Sequence, residues 1–145
     1  MQYPRDNECL FCKIIEGSIP CYKVYEDELI FAFLDIAPVA KGHTLVIPKG
    51  HYPTLLDVPG LYATPLLTTL QTIGTAMMET LDVTGFNCFQ NNFSSAGQVV
   101  FHAHWHLIPR IEHDNLPAWT GGTYPSQVAM QELAAAISQR IPQSK

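Results

Sequence analysis

The sequence has few charged residues and no long apolar run. Charged side chains make up 14% of the 145 residues, and eight basic against thirteen acidic residues give a formal net charge of −5. Nucleic acids bind clustered positive charge, so this balance argues against a nucleic-acid partner. No uncharged apolar stretch reaches about 18 residues, so no membrane-spanning helix is expected. The polar start, MQYPRDNE, lacks the apolar core of a signal peptide, and we expect a cytoplasmic protein.

Length and composition predict one globular domain over residues 1–145. Hydrophobic residues make up 47% of the chain, which is enough to bury a core at this length. No internal repeat, linker or low-complexity segment indicates a second domain.

The sequence contains few histidines, and half of them lie in one segment. Only six histidines occur, and three alternate with other residues in GQVVFHAHWHLIPR, residues 97–110. The β-branched and aromatic residues of this segment predict a strand. Alternation then places His102, His104 and His106 on one face of that strand. A solvated strand face is one explanation, and a functional site is the other, because buried imidazoles need partners for their ring nitrogens.

Four further segments have the patterns of strands. Two short apolar runs, 23–25 and 29–34, flank an acidic turn and predict a hairpin. HTLVIPK (43–49) predicts a third strand, and FNCFQNN (86–92) precedes the Gly/Ser loop that leads to the histidine segment. With the two helices below, the order is β-β-β-α-β-β-α, which predicts an α+β domain built on an antiparallel sheet.

Two helices are predicted from periodicity and end signals. Thr64 is the predicted N-cap of the first, with Pro65 at its first helical position, and apolar residues then recur at helical spacing. A second helix is predicted over about 126–140, with an apolar side formed by Val128, Leu133 and Ile137.

Cys9 and Cys12 form a C-x-x-C pair, a pattern typical of zinc ligands or redox thiols. A redox motif of the thioredoxin type follows a strand in a βαβ unit, whereas only MQYPRDNE precedes this pair, so zinc is favoured. Two free buried thiols are the alternative. Cys21 and Cys88 are interpreted as small core residues.

The histidine segment and VYEDELIFAFLDIAPVAKGHTLVIPKGH (24–51) together resemble the histidine triad (HIT) family, whose signature is His-x-His-x-His followed by apolar residues. The resemblance covers roughly 9–110, and the remaining segment, 111–145, is only loosely similar. It implies a five-stranded antiparallel sheet with a long helix and a C-terminal helix. It also implies a homodimer with a continuous ten-stranded sheet.

The same resemblance implies a hydrolase of purine nucleotide conjugates that needs no catalytic metal. His104 would attack the α-phosphate and form a covalent nucleotidyl-histidine intermediate. His43 would orient the triad, His106 and Gln98 would contact phosphate oxygens, and His102 completes the set. A phosphoramidate is the expected substrate, and dinucleoside polyphosphates are the alternative.

The family's nucleoside pocket also has matching residues in this sequence. Asp35 matches the acid that accepts hydrogen bonds from the ribose hydroxyls, and Asn91 and Gly97 match residues beside the sugar and phosphate. Seven residues complete the implied nucleotide-binding set: Phe11, Ile14, Phe33, Leu34, Ile36, Leu45 and Gln98. Any core of this size needs hydrophobic residues, so core packing is the alternative for the six hydrophobic members of this set.

For the zinc site, the resemblance supplies the two missing ligands. His51 and His102 would join Cys9 and Cys12 in a closed tetrahedral site. In two respects the sequence departs from the family: Val99 stands where the phosphoramidase branch often has serine, and Trp119 cannot be aligned with the family's C-terminal tryptophan.

Two functions of other classes are alternatives. The first is a catalytic zinc enzyme whose three ligands are the alternating histidines, but His102 and His106 would lie about 13 Å apart along an extended strand. The second is a nucleotide-binding or partner-binding module without turnover.

Overall fold

The computed structural model describes residues 2–117 and 121–142, and Trp119 lies outside them. Its sheet has five antiparallel strands in the order β1-β2-β3-β5-β4. This arrangement confirms the predicted α+β fold. The strands are β1 (Lys23–Glu26), β2 (Ile30–Leu34), β3 (Thr44–Pro48), β4 (Gly85–Phe89) and β5 (Trp105–Arg110).

The long helix is present, but it begins differently from the prediction. Helix α2 spans Ala63–Leu81, and its N-cap is Tyr62, not Thr64. A 3-10 turn at Gly60–Tyr62 runs directly into the helix, so Thr64 lies within the first helical turn, and its prediction as N-cap was wrong.

A short helix, α1 (Leu10–Ile15), has no counterpart in the prediction. Its N-cap is Cys9, whose Sγ accepts a hydrogen bond from the backbone N–H of Cys12 at 3.5 Å. Six residues are too few to establish a helical period, and cysteine is not among the usual capping residues. The C-x-x-C pair therefore occupies the first turn of a helix.

The histidine segment is not one continuous strand. Strand β5 begins only at Trp105, so His106 lies in the sheet, whereas His102 and His104 lie in irregular chain before it. The backbone N–H of Ala103 donates to the carbonyl of Tyr52 at 2.6 Å. This N–H is therefore not available for pairing with a neighbouring strand of the sheet. The prediction of a strand over 97–110 was wrong for its first half.

The central strands are buried on both faces of the sheet. One face packs against α1 and the other against α2, so strands β2 and β3 are almost continuously hydrophobic instead of alternating. The α1 side contains Phe11, Ile14, Phe31, Phe33, Leu45 and Ile47, and the α2 side contains Ile30, Ala32, Val46, Tyr62, Ile73, Met77 and Leu107.

The contacts divide the chain into two compact units, Met1–Asp114 and Asn115–Lys145. The second contains α3 (Gln127–Ser138), whose N-cap Ser126 accepts a hydrogen bond from the N–H of Ala129 at 3.1 Å. This helix confirms the one predicted over 126–140, and the single domain over 1–145 stays a prediction. Among the described residues, no helix has both the length and the hydropathy needed to span a bilayer.

Candidate active site

A pocket of about 430 Å³ opens on the α1 side of the sheet and reaches the histidine segment. Side chains from α1, β2 and β3 form its apolar part, and His104 and His106 lie at its polar end. Every predicted nucleotide-binding residue except Gln98 lines it: Phe11, Ile14, Phe33, Leu34, Asp35, Ile36, Leu45, Asn91 and Gly97. The structure thus brings together residues that are far apart in the sequence.

Several lining residues were missed by the sequence reasoning. The turn after α1 brings Ile19, Pro20 and Cys21 to the pocket, and Gly17 permits that turn with φ +88°. The others are Leu10, Ala37, Val99 and Val100. No sequence pattern marks these positions, because apolar loop residues resemble ordinary surface residues until the chain is folded.

His104 is held with one ring nitrogen free. Its Nδ1 lies 2.7 Å from the carbonyl oxygen of His102, and since a carbonyl only accepts, Nδ1 carries the proton. The Nε2 atom therefore keeps its lone pair. The side chain is only 7% exposed, and burial lowers the pKa of this imidazole. In its neutral form, His104 therefore presents an unprotonated Nε2 that could act as a nucleophile.

A chain of hydrogen bonds sets the proton positions of two further histidines. The backbone N–H of Val39 donates to Nδ1 of His43 at 3.1 Å, so the proton of neutral His43 is on Nε2. That Nε2 lies 2.9 Å from Nδ1 of His106, which must then accept. Burial lowers the pKa of His43 and that of His106, the latter to about 4. His106 is left with an Nε2–H donor beside the pocket.

Asp35 lies at the junction of this chain and the pocket. Its Oδ1 accepts from the N–H of Ala37 at 2.9 Å, and its Oδ2 is 3.7 Å from Nε2 of His43. Asp35, His43 and His106 have donor atoms close enough to hold a cation. However, Val39 fixes the proton of His43 on the atom that would bind the metal, so these residues suit proton positioning better than metal binding.

The loop before the histidine segment is closed by Gln98. Its Oε1 accepts from the N–H of Phe93 at 2.7 Å, and its Nε2 donates to the carbonyls of Pro53 and Val100 at 2.6 and 3.1 Å. The amide is buried and both of its protons are used. Gln98 therefore shapes the loop in this structure and has no spare donor for a phosphate oxygen.

The four predicted metal ligands lie together beside the pocket. The ligand atoms of Cys9, Cys12, His51 and His102 are all within 4.8 Å of one another. Nδ1 of His102 lies 3.5 Å from Sγ of Cys9 and 3.7 Å from Sγ of Cys12, and Nδ1 of His51 lies 3.6 Å from the latter. Two thiols and two imidazoles are a set that suits tetrahedral zinc.

The ring nitrogen of His102 that does not face the thiols supports that arrangement. Its Nε2 lies 2.8 Å from the carbonyl oxygen of Pro48, which fixes the proton there and leaves Nδ1 with a lone pair facing the thiols. Burial lowers the pKa of His102 to about 4 and raises that of the Cys12 thiol to about 11. Metal binding would therefore displace a thiol proton, as is usual for cysteine ligands.

Comparison with known proteins identifies close relatives. The model of the HIT domain matches residues 16–113. The chain is 48% identical over 139 residues to "Protein hit" of Bacillus subtilis, which covers 94% of this chain and 96% of that protein. It is 44% identical over 110 residues to "Adenylylsulfatase HINT3" of Arabidopsis thaliana (76% of this chain), and the match spans only 56% of that longer protein. It is also 44% identical over 105 residues to "Adenosine 5'-monophosphoramidase HNT1" of Saccharomyces cerevisiae, and this match covers 72% of this chain and 64% of that protein.

Solved structures agree with these matches. A member of the HIT family from Bacillus subtilis superposes with a TM-score of 0.88 at 39% identity, covering 95% of this chain and 100% of that one. A zinc-bound histidine triad protein from Mycobacterium smegmatis superposes with a TM-score of 0.72 at 37% identity, covering 91% and 94%.

Proposed function

Since this chain belongs to the HIT family, we propose that it hydrolyses purine nucleotide conjugates at the α-phosphate through a covalent nucleotidyl group on His104. The observation that carries the proposal is the hydrogen bond from His104 Nδ1 to the carbonyl of His102, which leaves Nε2 free at the polar end of the pocket. Two relatives named as an adenylylsulfatase and a phosphoramidase support a nucleotide substrate.

The reaction takes place in two steps at one nitrogen. In the first, Nε2 of His104 forms a bond to the α-phosphorus, the bond to the leaving group breaks, and that group departs with one proton taken up from the solvent. In the second, water attacks the same phosphorus, the P–N bond breaks, and nucleoside monophosphate is released together with one proton, which balances the proton taken up in the first step. His104 then returns to its neutral form. Its Nδ1–H donates to the carbonyl of His102 throughout both steps.

His106 and His43 supply a donor whose direction is fixed in advance. Because His43 donates to Nδ1 of His106, the Nε2–H of His106 is available to a phosphate oxygen or to the leaving group. Phe89 stacks on the His106 ring at a centroid distance of 4.8 Å and keeps it in plane. A donor that needs no reorientation lowers the barrier of phosphoryl transfer.

The apolar part of the pocket suits a nucleoside. Phe11 and Phe33 meet edge to face at 5.4 Å and form a wall for a flat base. Asp35, between this wall and the histidines, is the residue we propose for the ribose hydroxyls, with Asn91 beside the sugar and phosphate. Gly97, with φ +90°, faces the Asn91 amide and lets the loop approach the phosphate.

The charge of the pocket favours an amine as the leaving group. Among its described lining residues there is no lysine or arginine, and Asp35 is the residue with a formal charge. An amine departs neutral or protonated, whereas sulfate and polyphosphate depart as anions that need a cationic partner. A phosphoramidate is therefore the proposed substrate, ahead of a dinucleoside polyphosphate.

Zinc is the proposed structural metal, held by Cys9, Cys12, His51 and His102. When bound, it would cross-link the start of α1 to the chain after β3 and the chain before β5, which stabilises a small domain. The zinc-bound relative supports this assignment.

A homodimer is the proposed assembly. Strand β4 pairs with β5 on one side only, so among the described strands its other edge is open. Phe86 on β4 is exposed, and so is Leu67 on α2, the helix that contacts β4. An apolar open edge is the kind of surface that a second copy covers in a continuous sheet.

The test of the covalent step is intact-protein mass spectrometry after rapid quenching with adenosine phosphoramidate. We expect an added nucleotidyl mass on the unmodified chain, localised by digestion to the peptide that contains His104, and no addition on His104→Ala. If neither an adduct nor nucleoside monophosphate forms, the proposal fails, and a binding module without turnover takes its place.

The pH profile should show histidines that resist protonation. Burial lowers the pKa of His104 and of His106. A lower pH is therefore needed to protonate the nitrogen that we propose as the nucleophile. We expect kcat/KM to stay level through about pH 6.5, where an ordinary imidazole is half protonated, and to fall only at lower pH. Circular dichroism at each pH excludes unfolding as the cause. An acid limb centred at or above pH 6.5 contradicts the expectation.

A further inference from the structure

The segment before α1 is fastened against the proposed metal centre. The backbone N–H of His51 donates to the carbonyl of Pro4 at 2.8 Å, and the N–H of Cys9 donates to the carbonyl of Asp6 at 3.1 Å. Each bond joins this segment to one of the four ligand residues. The intervening side chains are therefore held beside the ligands by the backbone.

The carboxylate of Asp6 lies on the outer side of the His51 ring. Its Oδ2 is 3.8 Å from Nε2 of His51, whose Nδ1 faces the Cys12 thiol on the opposite side. Its Oδ1 accepts from the backbone N–H of Glu8 at 2.8 Å, which fixes the orientation of the carboxylate. His51 thus has its inner nitrogen toward the metal site and its outer nitrogen toward a carboxylate.

We propose that Asp6 is a positioning residue of the metal centre, its carboxylate attracting the Nε2 proton of His51 so that Nδ1 is kept as the metal ligand. Metal-binding histidines commonly donate their second N–H to a carboxylate, which fixes the tautomer and makes the ligand nitrogen more basic. A cation bound at Nδ1 would also add positive charge to the ring and strengthen its attraction to the Asp6 carboxylate. The inference rests on the zinc proposal above.

Asp6 reaches a second ligand through a different group. Its backbone carbonyl accepts a hydrogen bond from the N–H of Cys9 at 3.1 Å, so one residue lies against two ligand residues of the same site. The carboxylate itself is about half exposed, and as a surface ion pair alone it would contribute little to stability. Its effect should therefore appear in metal affinity and not in the stability of the metal-free chain.

The substitution Asp6→Asn separates these roles. Asparagine retains the backbone bond and an oxygen for the N–H of Glu8, but it loses the negative charge that attracts the His51 proton. Glu8→Gln is the matched control, because it removes the same formal charge from the same exposed segment. Asp6→Ala removes the side-chain acceptor altogether.

The measurement is the affinity of the full chain for Zn²⁺, by competition with a chromophoric chelator of known affinity. For Asp6→Asn we expect affinity about 10- to 100-fold below that of the unmodified chain, with Asp6→Ala at least as weak. For Glu8→Gln we expect a change within about twofold, as for an exposed surface charge. Melting temperatures in excess chelator should be the same for Asp6→Asn and the unmodified chain, which excludes a merely structural effect.

Each of the other possible outcomes overturns the role proposed for Asp6. Equal affinity of Asp6→Asn and the unmodified chain overturns the role of Asp6 while leaving the zinc proposal intact. An equal loss in Glu8→Gln also overturns it, because the effect would then come from net charge and not from contact with His51. If the unmodified chain itself binds no Zn²⁺, the zinc proposal fails and the role of Asp6 fails with it.

Discussion

We expect His104→Ala to lower kcat for adenosine phosphoramidate by at least about 10⁴-fold, the loss expected when a nucleophile is removed from a preorganised site. The physical reason is that Nε2 of His104 makes the bond that the proposed first step requires, whereas the other histidine of the pocket, His106, has its Nδ1 lone pair bonded to His43 and a proton on its Nε2. The measurement is steady-state release of AMP, with KM determined separately.

Two variants make this expectation specific. His106→Ala removes a donor but not the nucleophile, so we expect a loss of about 10² to 10³ in kcat. His113→Ala removes an exposed histidine from the turn after β5 and is expected to leave turnover unchanged. If His104→Ala retains more activity than His106→Ala, water and not His104 attacks the phosphate, and the covalent step is wrong.

Removing zinc is expected to lower the melting temperature by about 10 °C. At free zinc a thousandfold above its Kd, binding stabilises the folded chain by about 4 kcal/mol, and one kcal/mol corresponds to about 2–4 °C at this size. The four ligands come from α1, the chain after β3 and the chain before β5, so losing the ion frees three separate segments. Differential scanning calorimetry with and without chelator measures the shift.

The cysteines provide the controls for the zinc experiment. Cys12→Ser should melt at the temperature of the chelated chain and respond little to added zinc. Cys88 was interpreted from the sequence as a core residue, which was wrong: its thiol is exposed on the edge strand β4. Cys88→Ser should therefore keep the full response to zinc. An unchanged melting temperature after chelation of the unmodified chain would contradict a structural metal.

The sheet and the pocket were accessible from the sequence because their signals are local and strong. Strands such as β3 are continuous apolar runs ended by proline, and the two motif segments specify a family whose pocket residues occur here in order. The four metal ligands were also predicted as a set, and the structure brings them together. Whether zinc occupies them stays a proposal.

What the sequence did not reveal depends on contacts between distant segments. Helix α1 is too short to have a period, and its stability comes from burying Phe11 and Ile14 against the sheet. The late start of β5 depends on the bond between Ala103 and Tyr52, which are fifty-one positions apart in the sequence. The role of Gln98 depends likewise on the carbonyl of Pro53. Each is a tertiary contact that overrides local propensity.

In the proposed function His102 has two roles, which a mutational screen that scores only activity would not distinguish. Its ring faces the thiols of the proposed metal centre, while its backbone carbonyl holds the proton of the nucleophile two residues later. The ring can be replaced by mutation, but every amino acid supplies the carbonyl. If both proposals hold, a change of the ring at position 102 would lower the amount of folded protein, whereas a change at position 104 would lower the turnover of each folded molecule. Separate measurements of abundance and rate would tell the two effects apart.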